Sequence, residues 1–204
     1  MKTVYLVRHA QALYDPALDD HARPLTPTGH DQADRLVPVL RTLGIEEIHT
    51  SPYRRCLETI GPFARHAGLA LNHVHDLRER AFTNDRVPDW ASLWRNVWID
   101  LDFAFPDGES SRQAQQRMHA AMLALVKSSS ARTLAVSSHG NAISLFLRRV
   151  DARFTFEHAC SIRNPDVLRV TCDGDALLWD PDFSPAALAS FATSAGTNSS
   201  PTRA

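Results

Sequence analysis

A chain of 204 residues is long enough for one ordinary domain with a sizeable core and hardly long enough for two. Hydrophobic residues at 44% and charged residues at 22% place it among globular proteins rather than disordered or fibrous ones. The formal net charge of −1 leaves no basic surplus for nucleic acid or an anionic membrane surface, so affinity for an anion must come from a local cluster of basic groups.

The N-terminal apolar run Val4–Val7 is ended by Arg8-His9 and is too short for a signal-peptide core. No stretch approaches the roughly 20 apolar residues of a membrane helix, so the expected location is cytoplasmic. Cys56, Cys160 and Cys172 are odd in number and lack metal or disulfide spacing. They are expected to be small buried apolar residues in a reducing compartment.

In chain order, Thr3–Val7 has the composition of a strand. Thr26-Pro27 sets a capping hydroxyl before a proline at the first helical position. Ala33, Leu36, Val37, Leu40 and Leu43 then form an apolar stripe, in which Pro38 predicts a kink or a division. Glu47–Thr50 is a weaker strand, Ser51-Pro52 a second cap-and-proline helix start, and Leu69–His75 another weak strand. The stretch from about Arg80 to Gly108, with Trp90, Trp94, Trp98 and Phe103, is expected to be a small inserted helical cap. Its aromatic residues would either line a substrate mouth or, as is commoner at helical spacing, join the core.

Ser110 with Gln113 is a capping box, opening a helix whose stripe is Ala114, Met118, Ala121, Met122 and Leu125. Thr133–Ser138 and Val167–Cys172 are the remaining strong strands, and Ala176–Trp179 follows through an Asp173-Gly174 hairpin turn. Strands alternating with helices predict an α/β domain, a three-layer α/β/α sandwich around a mostly parallel sheet. One catalytic domain is expected over 1–183, and 184–204, rich in Ser, Thr and Ala with Arg203 its only charge, as a frayed tail.

The unusual polar residues fall at strand ends. Arg8-His9 follows the first strand and His139-Gly140-Asn141 follows Thr133–Ser138. In an open parallel sheet, ligands bind beyond the carboxyl ends of the strands, so two histidines placed there could face one another across a crevice. Ser51-Pro52-Tyr53-Arg54-Arg55-Cys56-Leu57-Glu58-Thr59 supplies a helix N-terminus with two arginines, a fit for an anion, although periodicity does not say which arginine points inward. Leu77-Arg78-Glu79-Arg80 is either a surface charge cluster or holds a general acid in Glu79. His73-Val74-His75 would put two imidazoles on one strand face, but no third ligand stands at zinc-site spacing, so no metal is expected.

Six pieces in order resemble the histidine phosphatase superfamily, the phosphoglycerate-mutase-like branch with an Arg-His-Gly motif. They are Val7-Arg8-His9-Ala10, Leu25-Thr26-Pro27-Thr28-Gly29-His30-Asp31-Gln32-Ala33, the Ser51–Thr59 segment, Leu77-Arg78-Glu79, Gly108-Glu109-Ser110 and Ser138-His139-Gly140-Asn141. The resemblance implies His9 as nucleophile, with Arg8, His9, Arg55, His139 and Gly140 binding the phosphoryl group and Glu79 protonating the leaving oxygen. Position within the motif selects Arg55 over Arg54. It further implies a small phosphorylated substrate and no cofactor, since guanidinium and imidazole groups can stabilise the transferring charge without Mg²⁺.

The chain departs from that pattern in several places. Ala10 replaces the motif glycine, and Gln11-Ala12-Leu13-Tyr14-Asp15 lacks the mutase Glu-Thr and final Asn. Asp15 would bring negative charge near the pocket or point elsewhere. No Phe-Thr-Gly-Trp segment lies between Asp15 and Leu25 to clamp a substrate carboxylate. These losses favour release of phosphate to water, with a mutase-type phosphotransferase and a non-catalytic phospho-ligand binder as the alternatives.

Overall fold

The computed structural model describes residues 1–15, 17–83, 89–185 and 188. Strand β1 (Lys2–Arg8) leads through a 3-10 turn at Asp20–Ala22 to helix α1 (Pro27–Arg41). Then come β2 (Glu47–Thr50), α2 (Arg54–Ala67), β3 (Leu71–His73), a 3-10 turn at His75–Leu77, α3 (Trp90–Ile99) and α4 (Ser111–Ser128). The chain continues with β4 (Thr133–Ser138), α5 (Gly140–Val150), α6 (Phe156–Ser161), β5 (Asp166–Asp173) and β6 (Ala176–Asp180). No helix among the described residues is long and apolar enough to cross a membrane.

The six strands form one sheet in the order β3-β2-β4-β1-β5-β6. β1 pairs in parallel with β4, and β2 in parallel with both β3 and β4, while β5 and β6 add antiparallel edges. The sheet is therefore mixed but mostly parallel, as expected. Both faces are covered, which explains why Val4-Tyr5-Leu6-Val7 is continuously apolar rather than alternating. Val4 and Leu6 enter one core with Met118 and Met122 of α4 and Ile143, Phe146 and Leu147 of α5. Tyr5 and Val7 enter the other with Leu36 and Leu40 of α1 and Ile60 and Phe63 of α2. Fully burying each such side chain contributes about 1.5–3 kcal/mol against the entropy of ordering the chain.

Several local expectations need correction. Pro38 does not divide α1: it lies on the exposed side, opposite the Ala33, Leu36 and Leu40 face, while the Thr26 hydroxyl caps the helix by accepting from Gly29 N–H at 3.0 Å. Leu43 lies beyond the helix end. Ser51 is not a helix cap: α2 begins at Arg54, and the Ser51 hydroxyl is engaged by His139 instead. The third strand stops at His73 and His75 opens a 3-10 turn, so the two histidines do not share a strand. Cys56 and Cys172 are buried but Cys160 is exposed at the short α6. The hairpin turn places Gly174 at positive φ with Asp173 paired to Ala176, one residue later than expected.

The described part of the 80–108 stretch carries α3 and is anchored by Arg80, whose guanidinium donates to Glu109 O at 2.7 Å, the Ser111 hydroxyl at 2.7 Å and Phe103 O at 3.1 Å; residues 84–88 lie outside the described residues. Trp98 packs against Phe154 and Phe156 beneath the Arg148 guanidinium, which makes it part of the core margin. The Trp90 side chain and most of the expected 184–204 tail lie outside the described residues; Leu188, within that range, is buried against the second core.

Candidate active site

The parallel register brings the polar strand ends level. Arg8 pairs with Ser138 and Thr50 with Ser137, so Ser51, His139 and His9 emerge side by side at the carboxyl edge. His9 N–H continues the ladder to Ser138 O at 3.1 Å, and Ser51 N–H to Ser137 O at 2.9 Å. β1 leads into α1 on one face of the sheet and β4 into α5 on the other. This is the switch point at which open α/β sheets hold ligands. The sheet edge next to β2 returns through Val74 N–H to Thr50 O, which carries the chain to Glu79.

The His9 and His139 rings meet edge to face with centroids 5.3 Å apart. Nδ1 of His9 lies 2.8 Å from Ala10 O. A carbonyl only accepts, so Nδ1 carries the proton and Nε2 keeps its lone pair. Burial, followed by the charges of Arg55 and Arg8, lowers the His9 pKa to about 3. Ala10 fits where the family motif has glycine, because its methyl is fully buried with Leu25 and Ala33 while its N–H donates to the Thr59 hydroxyl at 2.9 Å.

Arg55 turns inward and Arg54 outward. Arg54 pairs with Glu58 at 2.7 Å in solvent, whereas Arg55 is 4% exposed and its Nε donates to His139 Nδ1 at 3.1 Å. That bond leaves the proton of neutral His139 on Nε2, which meets the Ser51 hydroxyl at 2.8 Å. The His139 pKa lies well below the ordinary value because of burial and then Arg55. Cys56 Sγ packs 3.5 Å from His139 Nε2, and burial pushes its thiol up to about 12, so it stays protonated.

Arg8 is fixed by donating to Ile162 O at 2.5 Å, and its buried Nε has no hydrogen-bond partner among the described residues. Asn141 Nδ2 is a second such donor at the same sheet edge. Gly140 is a packing requirement, since a Cβ there would stand 2.8 Å from Arg8 Cζ. The Glu79 carboxylate occupies the N-terminus of α5, accepting from Ala142 N–H at 2.9 Å and Asn141 N–H at 3.2 Å. Those bonds and the helix dipole favour its charged form, yet burial outweighs them and raises the Glu79 pKa.

The five predicted side chains, with Gly140, thus lie at one sheet edge. Sequence reasoning did not find Asp20, which accepts from Arg55 Nη1 at its carbonyl (2.5 Å) and from Nη2 at its carboxylate (3.1 Å). No motif in the sequence singles it out. Asp15, by contrast, turns its carboxylate to Ala17 N–H in its own loop. Ser51 reads from the sequence as a helix cap, and Asn164, which donates from its side chain to His9 O at 3.0 Å, carries no sequence signal. A concavity of about 380 Å³ lined by Arg78, Ala81, Asp107, Gly108, Glu109 and Gln113 adjoins Glu79 along the chain. A larger one of about 500 Å³, lined by Glu46, Glu47, Leu69, Ala70, Asn72, Ser130 and Ala131, holds none of the site residues. Among the described residues, no three His, Cys, Asp or Glu side chains group where they could hold a metal ion.

Comparison with known proteins decides the family. The family model described as the histidine phosphatase superfamily (branch 1) matches residues 4–179. The chain belongs to the histidine phosphatase superfamily. A probable phosphoglycerate mutase GpmB of Klebsiella pneumoniae (strain 342) is 28% identical over 184 residues, 83% of this chain and 85% of the relative. The corresponding Citrobacter koseri protein is 27% identical over 191 residues, 88% of each. Among solved structures, phosphoserine phosphatase from Entamoeba histolytica in complex with phosphoserine superposes with a TM-score of 0.75 at 18% identity, over 92% of this chain and 100% of that one. Mycobacterial glucosyl-3-phosphoglycerate phosphatase with inorganic phosphate gives a TM-score of 0.73 at 19% identity, over 91% and 98%. These structures share the histidine phosphatase fold, with its phosphoglycerate-mutase-like α/β architecture.

Proposed function

We propose that the chain is a metal-independent phosphomonoesterase that works through a phosphohistidine on His9. The observation carrying this reading is a neutral imidazole whose Nδ1 proton is donated to Ala10 O, beside the buried Arg55 and the half-buried Arg8. Nε2 of His9 attacks phosphorus as the P–O bond to the leaving group breaks. Arg8 and Arg55 balance the equatorial charge of the transferring group, which is the main demand of phosphoryl transfer. His139 orients Arg55 and, on giving up Ser51, donates from Nε2 to a phosphoryl oxygen. Gly140 lets Arg8 approach the start of α5. Glu79, protonated, hands its proton to the leaving oxygen, and then as carboxylate takes one from the water that attacks phosphohistidine.

The relatives' names favour a second reading, a bisphosphoglycerate-dependent mutase. Arg23, Arg54 and Arg78 each already face a carboxylate, from Asp20, Glu58 and Asp76 respectively, and the mutase clamp segment is missing. Hydrolysis therefore stands ahead. A phosphomonoester panel of small metabolites, nucleotides and phosphopeptides, assayed with chelator present, should release phosphate. An acid-labile phosphoenzyme should form in the wild type and not in His9→Ala. Residual turnover above about one per cent in His9→Ala would remove its role as nucleophile.

A further inference from the structure

Arg55 would offer its guanidinium to the phosphoryl group, and the protein itself already sets an anion on it. Asp20 reaches Arg55 through both its carbonyl and its carboxylate, while its other carboxylate oxygen lies 3.1 Å from Arg23 Nη1. Arg23 in turn stacks over Tyr14, 4.8 Å from Cζ to the ring centre, and Arg55 over Tyr53 at 5.0 Å. The Asp20 side chain is 41% exposed, so it stands between the buried pocket and solvent. Arg55 and Arg23 face the Asp20 carboxylate itself, while Arg78 is held by Asp76 at 2.9 Å and Arg54 by Glu58, so neither of the latter two is released to meet a second anionic group. The same β1–α1 connection exposes Leu13, Tyr14 and Leu18 beside Asp19 and His21.

We propose that Asp20 sets the substrate class of this site. Its carboxylate turns away phosphomonoesters that carry a second anionic group near the phosphoryl group, and admits those whose leaving group is neutral or cationic there. The proposal rests on the phosphoesterase reading of the pocket. Like-charge contact in a partly desolvated site is a strong discriminator, worth about tenfold or more in affinity.

The test uses two esters of equal size, 3-phosphoglycerate and glycerol 3-phosphate, which differ in a carboxylate against a hydroxymethyl group. Wild type should prefer glycerol 3-phosphate by about tenfold or more in kcat/KM. Asp20→Asn keeps an oxygen for Arg55 but removes the charge. It should shrink that preference at least fivefold (roughly, by the same interaction), through KM on the carboxylate ester, and should tighten inorganic phosphate. Calorimetric binding of both esters and of phosphate reads the same ratios without turnover, so a failure of catalysis does not hide the result. An unchanged ratio in Asp20→Asn, or weaker phosphate binding, overturns the proposal, the latter by showing that Asp20 positions Arg55. Asp20→Ser, shorter and uncharged, should follow Asp20→Asn in the ratio; agreement with wild type instead would also overturn it.

Discussion

At the scale of single residues, chemistry here is set by which protons are held where. His9 keeps an attacking lone pair on Nε2 because Nδ1 faces a carbonyl, and it stays neutral to about pH 3 because burial and two guanidiniums oppose a further charge. Glu79 is shifted the other way, so its proton persists above the ordinary carboxyl range. The pair therefore separates acid from nucleophile by environment. Activity should lean to acidic pH, with the alkaline limb governed by Glu79 rather than by histidine deprotonation. Glu79→Gln can still accept an N–H of α5 but cannot give up a proton. We expect its kcat to fall about 10²–10⁴-fold on alkyl phosphates and far less on nitrophenyl phosphate. Equal losses on the two would rule out leaving-group protonation. The residue identities at the pocket were legible because each sits at a strand end or a helix start. Asp20 was not, since a carboxylate in a loop acquires its partner only when β1 and α2 are packed.

At the scale of elements, glycines report how closely the segments approach. A Cβ at Gly29 would stand 2.0 Å from Gln11 O, and one at Gly108 would stand 1.9 Å from Phe82 O, so these two motif pieces are contact points, the first between loop and helix and the second between two loop segments, rather than chemistry. Gly140 differs, because its neighbour is the end of the Arg8 side chain. Gly140→Ala should fold, losing about 1–3 kcal/mol by overpacking. It should lower kcat/KM by up to about a hundredfold through a displaced Arg8. Thermal melting beside steady-state kinetics checks this; wild-type activity with Arg8 shifted would remove the arginine from the pocket's work. Helix starts were read well where a side chain does the capping, as at Thr26 and Ser110. Ser51 failed the same rule because α2 starts only at Arg54: its hydroxyl faces His139 and accepts from Tyr53 N–H at 3.3 Å, ahead of the first helical turn. Pro38 and Pro62 show the converse, since a proline on a helix already held by a packed face does not end it.

At the scale of the whole molecule, the same neutral histidines, His139 buried and His9 half-buried, tie stability to pH. His9 titrates near 3 in the folded chain and near 6.5 when solvated, so the unfolded state binds the proton first. Its contribution is intact above about pH 6.5, declines as pH falls toward about 3, and levels off below. His139 acts in the same direction, and Glu79, with its raised pKa, in the opposite one. Tm should drop on acidification from pH 6.5, and His9→Asn should flatten that slope. An unaltered slope would mean that the fold does not hold His9 as a neutral ring. The fold itself was legible because both cores take their residues from strong periodic patterns. The sheet order was not, since nothing local in Val167–Cys172 says that it runs antiparallel against β1.

That sheet order has a consequence for synthesis. β1 occupies the middle of the sheet, yet it is made before both of its neighbours, which begin only at Thr133 and Asp166. Until Thr133 is reached on the ribosome, neither native neighbour of the strand that bears Arg8-His9 exists. That strand is an apolar template for aggregation, which a chaperone would have to shield. A message truncated between residues 138 and 166 would yield a chain with His139 in place and one flank of β1 open, prone to self-association rather than to slow catalysis.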